Sequence, residues 1–161
     1  MAEHKLASPV RTSVSLVGTD VTLTDDTGVS LARCFASGVQ PGTTTRRGTI
    51  LEWSVSPEES TVTRNSEPPY EVDLTHVRAV FRLSGRSARI VLSRICALDL
   101  DDDMFPSSAA ARTPIAGVAT ELVRDDIDGL PSYMLVPSRS FGNYLWEVLV
   151  NAGEGVENDN R

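Results

Sequence analysis

The chain has 161 residues, the length of one domain, and 40% of them are hydrophobic, enough to bury one core. Lys and Arg number 15 against 22 Asp and Glu, a net charge of −7. That balance excludes a protein that grips nucleic acid or an anionic membrane by bulk charge. No run of about 18 apolar residues is present to span a bilayer, and residues 1–10 lack the apolar stretch of a secretory signal, so a soluble cytoplasmic protein is expected.

Residues 1–48 are polar and rich in Thr, Ser and Gly. Short alternating stretches over 13–38, with turn signals at Asp25-Asp26-Thr27-Gly28, predict a hairpin or an extended arm ahead of the main domain. "VQPGTTTRRG" (39–48) reads as loop. The main domain is expected over 49–152. "TILEWSVS" (49–56) is a half-buried strand with Leu51, Trp53 and Val55 inward, stopped by Pro57. Residues 56–70 form a polar connection, and Ser56-Pro57-Glu58-Glu59 has the pattern of a short helix start. From Tyr70 a period of two places Asp73, Thr75, Val77, Ala79, Phe81 and Leu83 on one face and Arg78 and Arg82 on the other, predicting one strand. Ser84-Gly85 turns the chain into a helix with Ala88, Val91, Leu92 and Ile95 inward and Arg86, Arg89 and Arg94 in water.

"ALDLDDDMFPSS" (97–108) is a loop. Residues 109–125 predict two strands, or one bent strand broken near Pro114 or Gly117. Residues 125–131 turn, and 132–136 pair back on 119–124 as a hairpin. A last helix, capped by Ser138 or Ser140, carries Phe141, Tyr144, Leu145, Val148 and Leu149 in one stripe. Trp146 and Val150 lie beside and behind it. Gly153 is expected to end this helix, leaving 153–161 as a disordered tail. The fold class is α+β, with helices packed on one face of a mainly antiparallel sheet.

Several groups invite a chemical reading. Asp73, Thr75 and His76 offer an acid, a hydroxyl and an imidazole, but a strand would point His76 away from the other two. A strand-edge cluster serving nearby backbone is expected. Asp101-Asp102-Asp103 lacks the Gly and the bidentate Glu of a calcium loop and reads as a solvated loop, while Asp125, Asp126 and Asp128 before Gly129 resemble a calcium-loop fragment more closely but suit an ordinary turn, which is expected. Cys34 and Cys96 fit no zinc or redox spacing and read as reduced, space-filling thiols. No glycine-rich phosphate loop and no His- or Cys-rich metal cluster is present. Arg46, Arg47, Arg78, Arg82, Arg86, Arg89 and Arg94 concentrate positive charge, either as a clamp for an anion or acidic partner or as plain surface charge. Trp146 and Val150, with Arg78 and Arg82, are the candidate partner-binding residues.

The fragments "VDLTHVRAVFRLSG", "SARIVLSRICALDL", "MFPSSAAART" and "RSFGNYLWEVL" stand in series between residues 72 and 150. This stretch resembles the gamma subunits of heterotetrameric sarcosine oxidases, and "TILEWSVSPEE" adds a weaker agreement upstream. The resemblance covers about half the chain; residues 1–48 match nothing in that family. It implies a fold related to one subdomain of the folate-dependent aminomethyltransferases, whose acidic pair works on a later strand beside tetrahydrofolate. The corresponding strand here reads "GVATELVRD" (117–125), where Thr120-Glu121 stands nearest the missing Asp-Asp pair. Pro137-Ser138 replaces the Asn-Ala that follows in those enzymes. Both departures fit a subunit that keeps the fold without the site.

The resemblance further implies an assembly that oxidises sarcosine to glycine, passing electrons to flavins and oxygen and the methyl carbon to tetrahydrofolate or formaldehyde. It places FAD, FMN, NAD and tetrahydrofolate in alpha and beta subunits and zinc in a delta subunit. The gamma chain then holds no cofactor and no catalytic residue, and serves assembly and stability. Two other readings stand beside it: a stand-alone folate-binding aminomethyltransferase-like enzyme using Glu121 and Asp125, and a small regulatory or binding module.

Overall fold

The structure, a computed structural model, describes residues 12–16, 19–35, 39–57, 59–64 and 72–159. Its strands are β1 (Thr12–Ser15), β2 (Thr22–Asp25), β3 (Ser30–Phe35), β4 (Thr44–Arg47), β5 (Ile50–Ser56), β6 (Glu59–Arg64), β7 (Val72–Asp73), β8 (Phe81–Ser84), β9 (Ala110–Ile115), β10 (Val118–Arg124) and β11 (Ser132–Pro137). The helices are α1 (Ala88–Ser93) and α2 (Gly142–Asp159), the second preceded by a 3-10 turn at Arg139–Phe141. The strands form two antiparallel sheets: six in the order β1-β2-β8-β11-β10-β9 and five in the order β4-β5-β6-β3-β7.

Three layers result: helices, the six-stranded sheet, then the five-stranded sheet. Phe81, Leu83, Leu122, Tyr133 and Leu135 face the helices and pack with Val91, Leu92, Leu145 and Leu149. Val80, Val123, Met134 and Val136 take the other face and pack with Leu31, Leu51 and Trp53 of the second sheet. A sheet covered on both sides needs apolar residues on both, so β11 is buried at every position and reads in the sequence as one apolar run. The helices do pack on one face, as expected; the second sheet on the other face was not foreseen.

The expectation for residues 1–48 differs most from the structure. β1 and β2 do form a hairpin, but it is no arm: β2 pairs with β8 inside the six-stranded sheet, and β3 pairs with β6 and β7. Val21, Leu23 and Leu31 are fully buried. Thr-rich strands with one apolar residue on the inner face suffice, because Thr fits a pleated, half-buried surface. Nor is 39–48 all loop, since Thr44–Arg47 pairs with β5 as β4. The two sheets are stitched at one corner by Thr44 N–H to the Ser108 carbonyl (2.7 Å) and Ala110 N–H to the Gly42 carbonyl (2.9 Å).

Three further expectations change. Ser56–Glu59 starts no helix: β5 and β6 form a hairpin there, tied by the Ser54 hydroxyl to the carbonyls of Ser56 (2.6 Å) and Glu59 (2.8 Å). The single strand from Tyr70 to Leu83 is two strands in different sheets, β7 and β8, because a turn at residues 75–77 carries the chain across. The C-terminal helix does not stop at Gly153. It continues to Asp159, with Ala152 and Val156 in the main core. A Cβ on Gly153 would sit 2.6 Å from Leu16 Cδ1, so this glycine is where Leu16 from the end of β1 meets the helix.

Candidate functional site

Two buried carboxylates belong to β10, Glu121 in the middle of the strand and Asp125 one residue past its end. Both lie between the sheets, on the side of Val123. Glu121 Oε2 accepts a hydrogen bond from Trp53 Nε1 (2.9 Å), and its Oε1 lies 3.9 Å from Arg33 Nη2. Arg33 in turn reaches Glu59 (3.5 Å). Asp125 is held from two directions. Arg46, on β4, donates from Nε (3.0 Å) and from Nη2. Arg82, on β8, comes to 3.5 Å with Nη1 and donates from the same nitrogen to Ser132 Oγ (2.8 Å). Bonding to Asp125 raises the Arg46 pKa. Burial lowers that of Arg82, against the pull of Asp125 and Asp26.

Beside this ion cluster a cleft of about 730 Å³ opens between the sheets. Thr24, Val80, Arg82 and Met134 line it from the six-stranded side, Arg46 and Leu51 from the five-stranded side. Its walls are mixed, apolar Leu51, Val80 and Met134 beside the guanidinium-bearing Arg46 and Arg82.

A second cationic centre was not singled out in the sequence. Arg124, 5% exposed, donates to Asp102 (2.7 Å), the Phe105 carbonyl (2.8 Å) and both oxygens of Asp126 (3.0 and 3.1 Å), and lies 5.7 Å over the Tyr133 ring. Burial alone would lower its pKa; Asp126 and Asp102 outweigh that and raise it. The acidic loop at 101–103 and the turn at 125–128 are thus tied together through Arg124, and Arg89 takes Asp101 (2.6 Å). Among the described residues no group of three His, Cys, Asp or Glu is placed to hold a metal. Only the partnering of a strand-end Arg with acids on both neighbouring loops could have signalled this centre.

The Asp73-Thr75-His76 group is a turn between the sheets. Asp73 Oδ1 accepts the Thr75 N–H (2.9 Å), and Thr75 Oγ1 accepts the Leu31 N–H (3.0 Å). Bonding from Thr75 holds the Asp73 carboxyl below its ordinary value. His76 is exposed, and no triad forms. Of the partner-binding candidates, Arg82 lines the cleft and Arg78 is half-buried, bridged to Ser138. Trp146 is half-buried, its ring 5.6 Å from that of Phe81, and Val150 packs beside it on the core. The exposed aromatics of the C-terminal segment are instead Phe141 (48%) and Tyr144 (49%). Phe141 ends the 3-10 turn, so the inward stripe begins only at Leu145 and runs through Leu149, Ala152 and Val156. Cys96 is buried in the main core and Cys34 half-buried in β3, and neither is in a disulfide.

No protein-family model matches the chain. Its sequence is 33% identical over 86 residues to sarcosine oxidase subunit gamma of Corynebacterium sp. (strain P-1), covering 53% of this chain and 41% of that one. The chain thus aligns with less than half the length of that relative. Its backbone superimposes on a chain of heterotetrameric sarcosine oxidase from Corynebacterium sp. U-96, solved with pyrrole 2-carboxylate, with a TM-score of 0.75. That match has 20% identity and covers 85% of both chains. In sequence the protein is similar to a sarcosine oxidase gamma subunit, and its α+β fold is one found in heterotetrameric sarcosine oxidase.

Proposed function

We propose that this chain is a gamma-type subunit of a sarcosine oxidase complex, without an active site of its own, acting in assembly and stability. The observation that carries this is the agreement of two similarities, one in sequence and one in backbone, on sarcosine oxidase. The committed state of the β10 carboxylates supports it. A folate-dependent site on this strand needs acids open to a ligand, whereas Glu121 is held by Trp53 and Asp125 by Arg46 and Arg82. No step through tetrahydrofolate is assigned to these residues. The partners are then alpha, beta and delta subunits in the cytoplasm, which hold FAD, FMN, NAD, tetrahydrofolate and zinc, and the complex oxidises sarcosine to glycine. Among the described residues no helix is long and apolar enough to cross a membrane.

Co-expression with the adjacent genes, followed by purification through a tag on this chain, tests the reading. The expected product is a flavin-coloured complex containing larger subunits. A colourless monomer that binds tetrahydrofolate unaided overturns it.

A further inference from the structure

The cleft between the sheets has features that neither packing nor assembly requires. Leu51, Val80 and Met134 give it an apolar lining, and its volume of about 730 Å³ lies in the range of small-molecule pockets. Arg82 also lines it, and its Nη1 is spent on Ser132 and, more distantly, Asp125. Its Nε and Nη2 make no hydrogen bond to the described residues, and neither belongs to the buried atoms left without a partner. Arg82 lines the cleft with a side chain 15% exposed, so these two donors are the part of its guanidinium that no protein group among the described residues has taken. Nε and Nη2 form the planar edge of a guanidinium, the edge that takes both oxygens of a carboxylate at once. Arg46 stands beside it, anchored by Asp125.

We propose that this cleft binds a small organic acid, its carboxylate on the free edge of Arg82 and its apolar body along Leu51, Val80 and Met134. Asp26 also lines the cleft and acts on Arg82 by charge, so two acids face two arginines. Recognition rests on the paired hydrogen bonds and apolar contact, not on net charge. This calls for modest affinity, a Kd on the order of 1 mM or somewhat tighter. The inference does not depend on the subunit reading, since it concerns the full chain alone.

The probe is 2-naphthoate, with neutral 2-naphthamide as control, titrated into the isotope-labelled full chain and followed by amide resonances. The acid should shift the resonances of Thr24, Val80 and Arg82, and bind roughly tenfold tighter than the amide, the value of a charge-assisted hydrogen bond. Arg82→Gln should abolish that preference while leaving the amide's affinity unchanged. Thr49→Trp, an exposed residue of the cleft wall, should block both probes and keeps the test decisive if Arg82→Gln does not fold. Equal affinity for acid and amide overturns the proposal, as do shifts that map elsewhere. So does a cleft whose resonances move only when the neighbouring subunits are added, which would make it a protein contact.

Discussion

Asp125 is the residue on which the inter-sheet charge balance turns. Its carboxylate is 10% exposed and faces two guanidinium groups, Arg82 at 15% and Arg46 at 40% exposure. Removing it strands a largely buried Arg82, whereas removing Arg46 leaves Asp125 still served by Arg82. The costs should therefore be unequal. Asp125→Ala is expected to destabilise by roughly 3–5 kcal/mol, as when one partner of a buried pair is lost. Arg46→Met should cost under about 1 kcal/mol, as for a partly exposed pair. Urea unfolding of the two variants measures both; equal losses would show that Arg82 does not depend on Asp125. None of this was legible in residue types. The resemblance drew attention to Glu121 and Asp125 as acids on one strand. Their partners Trp53 and Arg46 lie 68 and 79 positions away in the chain, and no local pattern reports contacts of that range.

At the scale of elements, local patterns were reliable where a segment builds its own structure. The helix spacing of Ala88, Val91 and Leu92 and the β10–β11 hairpin both appear as read. They failed where another segment decides. α1 is only six residues long, and Ser87 makes no side-chain cap. Its start is held instead by Asp20, from the β1–β2 connection, which accepts the N–H groups of Arg86 (3.0 Å) and Ser87 (3.1 Å). Gly85 permits this approach: φ is 137°, and a Cβ would lie 2.3 Å from the Asp20 carbonyl oxygen. Burial pushes the Asp20 carboxyl up slightly, but the bonds from Ser87 and Arg86 outweigh it and hold the pKa below its ordinary value. The sign follows. The contribution is present above the unfolded carboxyl range and is lost as pH falls through the lowered folded value. Asp20→Ala should cost about 1 kcal/mol at neutral pH, like other lost helix caps. The difference from wild type should shrink as denaturation is repeated toward pH 3.

At the scale of the whole molecule, the two misread ends share one cause. A polar start and a glycine-containing finish each look dispensable alone, yet each is the surface the other covers. Leu16 lies against Gly153, and Leu16, Ala152 and Val156 join the same core as Leu145 and Leu149. Glycine costs a helix roughly 1 kcal/mol against alanine, which is why Gly153 reads as a stop. Gly155 adds a second such cost; burial of Val156, 4% exposed, returns about 1.5–3 kcal/mol and, together with the packing of Leu16 on the helix, offsets both, so the helix runs on. A chain truncated after Ala152 tests this. It loses the Val156 contact and uncovers Leu16, and its melting temperature should fall by roughly 4–10 °C, given about 2–4 °C per kcal/mol for a domain of this size. Leu16→Ala in the full chain should lower it too. Combined with the truncation, it should add less than the two losses summed, because both remove the same contact. Full additivity in calorimetry would mean that the first strand and the last helix stabilise the fold separately.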